Sequence, residues 1–318
     1  MDPSTRVTPS EFKCQSNVMR SLVSLRAMQI KREKSVIIHC RGRLGNQLFQ
    51  IAAGFALAEK LSRKCLVVLP RDQNYSEDQF TSITDVAELS QCILYPGYTK
   101  RVFWKLIFKV RFLLPKVSLG GLVTELGPHD IAFRLGRSVH LYGYFADCRY
   151  ALQSGFLQRE FTLAKPSVWF SAMINKAKTT EFVAIHVRRG DYVLNAERWG
   201  LLDVRYYEEA LKRLPLHLQR KEIWVFSDDP YRAKQVLSSL SNYTFVFISP
   251  PKQSNPIESL LLMTLGAGHV LANSTFGYWG ALLSSTSQWV IFPDRSKQGD
   301  AFVTHIPNSW IPQKATWE

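Results

Sequence analysis

Short runs of apolar residues alternate with amphipathic stretches along most of this chain, and the alternation predicts an α/β fold. In the first half, an apolar run over 36–40 precedes a glycine-rich turn over 41–47, a helix over 48–61 and a second apolar run over 65–69. Apolar runs of this length on either side of a helix indicate buried strands. The segment is therefore predicted to form a βαβ unit.

The same rhythm returns more regularly in the second half. It predicts strands over 182–187, 223–227, 244–248, 269–272 and 289–292, separated by helices over 204–214, 230–239, 256–265 and 276–283. Helices that alternate with short apolar strands are typical of a doubly wound parallel sheet. We therefore expect two Rossmann-like domains, one over 35–165 and one over 166–318, preceded by a polar and basic extension over 1–34.

The region between residues 73 and 135 has a less regular pattern. Arg101, Lys105 and Lys109 fall on one stripe of a predicted helix whose other positions are aromatic or aliphatic. A core helix with a basic side facing solvent is favoured over a helix that lies on a membrane surface. Further on, the run over 141–145 is predicted to be a strand or a strand end. Its aromatic rings are expected to pack in the fold, with stacking on a sugar as the alternative.

Composition narrows the classes of function. The 318 residues are 46% hydrophobic, which is ample for buried cores, and no apolar run approaches the length needed to cross a bilayer. Lys and Arg total 40 against 26 Asp and Glu, a net charge of +14 that favours nucleotide diphosphates, polyanions or anionic membranes. The basic residues are spread along the chain, which argues against a nucleic-acid-binding protein.

Cysteine usage and the N-terminus add two exclusions. The cysteines, which are Cys14, Cys40, Cys65, Cys92 and Cys148, form no CxxC pair and no zinc-like spacing. Their odd number argues against a complete disulfide framework. The N-terminal residues lack the compact apolar core and the small-residue cleavage site of a secretory signal.

The most informative segment is an apolar strand that runs directly into charged residues. Arg188 and Arg189 follow the strand, close in sequence to His186 and Asp191. Open α/β sheets bind ligands at the carboxyl ends of parallel strands, and a guanidinium fork matches two oxygens of a phosphate. We interpret the arginine pair as an anion-binding site, with a surface salt-bridge cluster involving Asp191 or Glu181 as the alternative.

Three further segments lie between a strand and a helix. The segment over 42–47 contains two glycines and either brings backbone N–H groups to an anion or is simply a tight turn. Asp228 is a candidate for contacting a nucleobase or a metal, whereas the neighbouring Asp229 is expected to cap a helix. Ser274 and Thr275 can donate to a phosphate at a helix start, where an ordinary N-cap is also expected.

Together these motifs resemble those of the α-1,2-fucosyltransferase family, glycosyltransferase family 11. The matching segments are GRLGNQ at 42–47, GYFADCRY at 143–150, HVRRGDYV at 186–193, FSDDP at 226–230 and NSTFGYWGALLS at 273–284. The resemblance implies an α/β fold of GT-B type, in which two Rossmann-like domains with parallel sheets face a central cleft. It also implies GDP-fucose as the donor substrate, inversion at the anomeric carbon of fucose, no cofactor and no required metal.

Residue by residue, the resemblance implies a donor site shared by both domains. Arg188 would bind the pyrophosphate and stabilise the GDP leaving group, with Arg189 as a second cation. His186 and Asp228 would contact the guanine side of the nucleotide. The other implied donor-binding residues are Ser274 and Thr275 at the phosphates with Phe276 beside them, and Arg43 and Asn46, which would close the cleft from the first domain.

An inverting displacement also needs an acceptor for the proton of the attacking hydroxyl. Asp191 is the nearest carboxylate in the motifs and is the predicted catalytic base. An alternative role for Asp191 is to orient Arg188, and Asp147 and Glu197 are weaker candidates for the base. A further alternative is that the departing phosphate itself accepts the proton.

The predicted activity is transfer of L-fucose from GDP-fucose to the 2-hydroxyl of a terminal β-galactoside of the lactose or N-acetyllactosamine type. The alternatives are a related transferase with α-1,6 or protein O-linkage, a non-catalytic basic protein that binds nucleotide or nucleic acid, and an inactive GDP-binding lectin. No nucleic-acid partner is expected. The chain is expected to be cytoplasmic and soluble, with membrane association at most peripheral; a Golgi luminal form without its anchor is the alternative.

Overall fold

Two β-sheets with flanking helices carry the fold of this chain. The computed structural model describes residues 34–69, 86, 89, 93–94, 131–135, 137–159, 161–252, 254–299 and 303–318. The N-terminal extension, apart from its last residue, and the predicted helix with Arg101, Lys105 and Lys109 lie outside the described residues.

The first sheet has five strands and belongs to the first half of the chain. They are β1 (Ser35–His39), β2 (Lys64–Val68), β3 (Ile93–Leu94), β4 (Ile131–Leu135) and β5 (Ser138–Tyr142), in the order β3-β2-β1-β5-β4. Neighbouring strands pair in parallel, except that β4 is antiparallel to β5. Helix α1 (Leu44–Lys60) connects β1 to β2, and a short helix α2 (Arg149–Leu152) follows β5. The βαβ unit predicted from the hydrophobic pattern is confirmed.

The second sheet has six strands and is parallel throughout. Its strands are β6 (Phe182–Val187), β7 (Glu222–Ser227), β8 (Phe245–Phe247), β9 (Gly268–Val270), β10 (Trp289–Pro293) and β11 (Ile311–Gln313), in the order β11-β10-β9-β6-β7-β8. The interior strands β6 and β7 are largely apolar because helices cover both faces of the sheet.

The helices of the second half connect these strands. They are α3 (Val168–Thr179), a 3-10 helix (Gly190–Asn195), α4 (Ala196–Trp199), α5 (Val204–Lys212), α6 (Leu216–Gln219), α7 (Pro230–Leu237), α8 (Pro256–Met263) and α9 (Thr275–Leu282). Short polar side chains fix several of their starts. Asp229, for example, accepts a hydrogen bond from the backbone N–H of Arg232 at 3.0 Å, as the predicted cap of α7 requires.

Helix α1 explains how the two sheets are held together. Most of its residues are buried, because one side packs on the first sheet and another packs on α9 from the second half. The ring centroids of Phe49 in α1 and Trp279 in α9 are 4.9 Å apart. A single hydrophobic cluster therefore runs through both halves of the chain.

The topology confirms the predicted α/β fold of GT-B type, with two Rossmann-like units facing a cleft. Helix α1 begins at Leu44, earlier than the predicted start at Leu48, so part of the predicted glycine-rich turn is helical. Strand β5 ends at Tyr142, and the chain turns at Phe145, whose φ is +48°. The short edge strands β3 and β11 and the helix α3 were not predicted. The domain boundary between residues 165 and 166 stays a prediction.

Candidate functional site

A cavity of about 910 Å³ opens where strands from both sheets end. Residues that follow β1 and β5 form its first-sheet wall, and residues that follow β6, β7, β8 and β9 form its second-sheet wall. Parallel strands end at the same edge of a sheet, so segments distant in sequence meet there. The predicted site residues that line the cavity are Arg43, Asn46, His186, Arg188, Asp191, Asp228, Ser274, Thr275 and Phe276.

Arg188 lies at the centre of the charges in this cavity. Its guanidinium pairs with Asp228 (Nη1 to Oδ2, 3.1 Å) and with Asp191, and its side chain is 11% exposed. The ring centroid of Tyr192 lies 5.0 Å from the guanidinium carbon. The buried Nε of Arg188 has no hydrogen-bond partner among the described residues. Arg188 is thus a fixed cation with unused donor capacity, which is the property expected of an anion ligand.

Asp228 contacts both the side chain of Arg188 and the backbone of Arg189. Its Oδ1 accepts the backbone N–H of Arg189 at 2.9 Å, while its Oδ2 pairs with Arg188. A Cβ on Gly190 would lie 2.1 Å from Asp228 Oδ2, so this approach requires glycine at position 190. Both carboxylate oxygens of Asp228 therefore have protein partners. The sequence did not predict this supporting role, and the predicted contact of Asp228 with guanine stays a prediction.

Arg189 points away from the cavity, in contrast to its predicted position as a second donor-site cation. Its side chain is 2% exposed, and it donates from Nη2 to the carbonyl of Leu202 at 2.5 Å. Its Nη1 lies 3.0 Å from Oε1 of Glu318. Side chains alternate between the two faces along an extended chain, so Arg189 shares the face of Val187 and not that of His186 and Arg188.

Asp191 connects cations from the two halves of the chain. Its Oδ1 lies 3.3 Å from Nη1 of Arg43, the residue that precedes α1, and also pairs with Arg188. The Asp191 side chain is 45% exposed. The structure thus places Asp191 beside Arg188, as the orienting alternative requires, and inside the cavity, as the base requires. Its role as the catalytic base stays a prediction.

The N-termini of α1 and α9 meet at the cavity. The Thr275 hydroxyl donates to Oδ1 of Asn46 at 2.9 Å. A Cβ on Gly45 would lie 2.6 Å from the backbone of Thr275 and Phe276, so glycine at position 45 permits this contact. Ser274 is the N-cap residue of α9 and is buried. Two sets of free N–H groups and two positive helix ends therefore face one cavity, an arrangement that favours an anion.

His186 lines the same cavity beside the first turn of α9. Its ring centroid is 5.5 Å from that of Phe276, and a Cβ on Gly277 would lie 2.9 Å from His186 Nδ1. Burial, with a further contribution from the charge of Arg188, lowers the pKa of His186 to about 3. The ring is therefore neutral at physiological pH. Its Nδ1 has no hydrogen-bond partner among the residues described here.

The second-sheet wall contains a segment that the sequence did not predict. Ile248 and Pro250 of the loop after β8 form an apolar surface beside Asp228 together with Phe226 of β7, and the exposed Lys252 stands in the same loop. This loop connects β8 to α8. Its position beyond a predicted strand was a usable signal, because ligands collect at carboxyl strand ends, but its proline-rich sequence has no charged motif.

Part of the first half of the sequence and most of the second half match the model of a known family. A model described as "Glycosyl transferase family 11" matches residues 126–306, more than half of the chain. The chain belongs to glycosyl transferase family 11. It is therefore a glycosyltransferase, and the resemblance seen in its motifs is confirmed at the level of the family.

Relatives of this family 11 enzyme include bacterial and animal proteins. The α-1,2-colitosyltransferase of Escherichia coli is 26% identical over 297 residues, which cover 88% of this chain and 93% of that protein. The O-antigen biosynthesis glycosyltransferase WbnK of Escherichia coli is 27% identical over 85% of this chain and 97% of its own. The galactoside 2-alpha-L-fucosyltransferase Sec1 of Mus musculus is 26% identical over 83% of this chain and 68% of its own.

Solved fucosyltransferase structures also resemble the family 11 chain. The structure of the α-1,6-fucosyltransferase NodZ soaked with GDP-fucose has a TM-score of 0.49 and 15% identity, covering 83% of this chain and 96% of NodZ. The structure of POFUT1 in complex with GDP-fucose has a TM-score of 0.38 and 17% identity, covering 81% of this chain and 98% of POFUT1.

Two alternative carboxylates of this glycosyltransferase lie outside the cavity lining. Asp147 pairs with Arg149 (Oδ2 to Nη2, 2.8 Å) and with His305 (Oδ2 to Nδ1, 2.9 Å), so its charge is used within the fold. Glu197 in α4 does not line the cavity either.

Within the described ranges, no three His, Cys, Asp or Glu side chains group as a metal site, and no helix is long and apolar enough to span a membrane.

Proposed function

We propose that this family 11 glycosyltransferase moves L-fucose from GDP-fucose to the 2-hydroxyl of a terminal β-galactoside. The configuration at the anomeric carbon would be inverted, and no metal would be required. The motifs support this proposal, and so do the names of relatives, which describe α-1,2 transfer of fucose in Mus musculus and of colitose in Escherichia coli. The acceptor would be a glycan of the lactose or N-acetyllactosamine type.

The observation that carries the proposal is the fixed guanidinium of Arg188 beside two helix N-termini. In a sugar nucleotide the bond that breaks joins the anomeric carbon to an oxygen of the diphosphate. As the nucleoside diphosphate departs, negative charge grows on that oxygen. Arg188 and Arg43, with the N–H groups at the starts of α1 and α9, offer positive charge to that oxygen. In other enzymes a bound metal ion supplies this stabilisation.

The second-sheet wall would hold the nucleoside. Phe226, Ile248 and Pro250 offer an apolar surface for a purine next to the neutral ring of His186. Because both oxygens of Asp228 already have partners, its contact with guanine would require one of them to accept an additional N–H. We therefore expect Asp228 to act first through the position of Arg188.

Asp191 would take the proton from the acceptor hydroxyl. It lies in the cavity beside the two cations that would bind the diphosphate, and its side chain is accessible. When the diphosphate occupies Arg43 and Arg188, the Asp191 carboxylate loses part of its pairing and can accept a hydrogen bond from the acceptor hydroxyl. The alternative, in which the departing phosphate accepts the proton, predicts a much smaller effect of replacing Asp191.

Transfer of colitose is the second candidate, because the α-1,2-colitosyltransferase shares 26% identity over most of both chains. Colitose is L-fucose without its 3-hydroxyl group, so the two donors share every group that Arg188 and the helix N-termini would contact. Discrimination would depend on a hydrogen bond to the 3-hydroxyl. A direct comparison of GDP-fucose with GDP-colitose decides between them.

The test is a donor and acceptor screen with the purified chain. GDP-fucose, GDP-colitose, GDP-mannose and UDP-galactose are each incubated with lactose or N-acetyllactosamine, with and without EDTA, and the linkage in any product is determined by NMR. We expect a 2-linked fucosyl product from GDP-fucose that EDTA does not reduce. A 6-linked product, a faster reaction with GDP-colitose, or loss of activity with EDTA would each overturn the corresponding part of the proposal.

A further inference from the structure

We propose that Tyr144 is the platform on which the acceptor sugar stacks. This inference rests on the proposed galactoside transfer and assigns the acceptor subsite of the same cavity. Tyr144 is 40% exposed. Of the large hydrophobic side chains that are exposed in the described part of the chain, Tyr144 is the one that lines the cavity.

The sheet register places Tyr144 beside the donor-site residues of the first half. Strands β1 and β5 are parallel neighbours, and His39 pairs with Tyr142 at their carboxyl ends. The residues that follow β1 therefore emerge next to those that follow β5. Gly42 and Arg43 come from the first of these segments and Tyr144 from the second, and all three line the cavity.

Arg41 holds the Tyr144 ring in place. Its guanidinium carbon lies 4.0 Å from the ring centroid of Tyr144 and 5.0 Å from that of Tyr142, so the arginine sits between two aromatic rings. Gln50 in α1 fixes the backbone of Arg41 in turn. The N–H of Arg41 donates to Oε1 of Gln50, and Nε2 of Gln50 donates to the carbonyl of Arg41, both at 2.8 Å. Tyr144 is thus a preorganised ring at the cavity wall.

Galactosides have the chemistry that such a ring recognises. One face of a galactose ring presents several C–H groups, and the negatively polarised face of an aromatic ring attracts them. The aromatic surface also replaces water on that apolar sugar face. A sugar stacked on Tyr144 would keep its hydroxyl groups at its edge, where they remain available for the reaction.

The position of Tyr144 favours the acceptor over the donor. The apolar surface assigned to the nucleoside, formed by Phe226, Ile248 and Pro250, comes from the second sheet, whereas Tyr144 comes from the first. An inverting displacement requires the acceptor hydroxyl to approach the anomeric carbon from the side opposite the leaving diphosphate. Arg43 and the start of α1 face the diphosphate from the segment after β1, so the surface left for the acceptor on the first-sheet wall is the segment after β5, which contains Tyr144.

The test separates acceptor binding from donor binding. Tyr144→Ala should raise the acceptor KM about tenfold, the loss expected for one aromatic stacking contact, with the donor KM and the Kd for GDP unchanged. Tyr144→Phe should restore acceptor binding, because it keeps the ring. Tyr144→Leu should not, because it keeps apolar bulk without an aromatic face. Tyr231→Ala is the matched control, since Tyr231 is 72% exposed and does not line the cavity.

Each outcome decides between interpretations. An unchanged acceptor KM in Tyr144→Ala would overturn the inference, and so would a raised donor KM with normal acceptor binding. If Tyr144→Leu binds acceptor as well as Tyr144→Phe does, the contact is apolar packing and not stacking. Failure of the wild-type chain to use any galactoside would instead refute the proposed function. The Kd for GDP shows that each variant is folded.

Discussion

Arg188 and Arg189 are consecutive in sequence but lie on opposite sides of the second sheet's edge. Arg188 faces the cavity with His186, where it pairs with Asp191 and Asp228, and its buried Nε has no hydrogen-bond partner among the described residues. Arg189 faces the interior, where it holds the carbonyl of Leu202 and the side chain of Glu318. Strand alternation thus places one arginine of the pair at the cavity and the other in the interior.

The two sides differ in how accessible the cation is. The Arg189 side chain is 2% exposed and pairs with Glu318, which is far away in sequence, so its charge is unavailable to a ligand. Arg188 is paired with carboxylates that a stronger anion can partly replace. The comparison therefore predicts that substitutions at the two arginines affect different quantities, namely turnover at position 188 and stability at position 189.

The largest expected effect is that of Arg188→Ala on turnover. Removing a fixed cation from a developing diphosphate should lower kcat/KM by about 10³-fold, equivalent to about 4 kcal/mol. The thermal midpoint should fall by less than in Arg189→Ala, because the carboxylates that lose their cation, Asp191 and Asp228, are themselves partly exposed. Steady-state kinetics with GDP-fucose and lactose measure the loss. Arg232→Ala, which removes an exposed arginine paired with Asp229, is the control and should leave kcat/KM intact.

Arg189→Ala should instead act on the free energy of unfolding. It leaves the carbonyl of Leu202 without its donor and Glu318 without its cation, at a cost of about 2–3 kcal/mol. Urea denaturation measures the change. Turnover per folded molecule should fall far less than in Arg188→Ala. A variant that is fully stable but inactive would mean that Arg189 reaches the ligand after all.

Acidification should affect the cavity side through His186. Burial, followed by the charge of Arg188, lowers the pKa of His186 to about 3, whereas the unfolded chain binds this proton near pH 6.5. His186 therefore contributes full stability above pH 6.5, and that contribution is lost as pH falls from 6.5 towards 3. Removing the Arg188 charge should make the decline shallower in Arg188→Ala than in Arg189→Ala. Thermal midpoints between pH 7 and pH 4 measure both slopes, and equal slopes would contradict the assigned contribution.

The smallest expected effect is that of Asp191→Asn on GDP binding. Asp191 competes with a diphosphate for Arg43 and Arg188, so its neutralisation should tighten GDP binding by up to about fivefold, as expected for a partly exposed ion pair. Turnover should fall at the same time if Asp191 is the base. Glu208→Gln, which weakens an exposed pair with Lys212, should change neither quantity. Weaker GDP binding in Asp191→Asn would exclude the competition.

Much of the fold could be predicted because the second sheet is regular. Strand β6 has the predicted bounds, since its residues are apolar and buried throughout. The start of α1 was wrong because Gly45 was interpreted as a turn residue, whereas it permits close packing against Thr275 and Phe276. That contact joins elements distant in sequence, and local pattern contains no information about it.

The candidate site was predictable where charge sits in a motif. Arg188 and Asp191 meet in the cavity. The position of Arg189 in the interior follows only if the strand alternation between His186 and Val187 continues into the residues after the strand. The contacts of Asp228 with Arg188 and Arg189 depend on the parallel register of β6 and β7, which pairs Val187 with Ser227. For Tyr144 the sequence favours packing, with stacking on a sugar as the alternative, because exposure at a cavity wall is a tertiary property.

The central claim is that Arg188 binds the diphosphate of the donor, and calorimetric titration with GDP and GMP tests it most directly. GMP lacks the second phosphate, so the ratio of the two dissociation constants isolates the contacts to that group. We expect wild type and Arg189→Ala to bind GDP at least about tenfold more tightly than GMP, and Arg188→Ala to lose most of that preference. An unchanged preference for GDP in Arg188→Ala would contradict the claim.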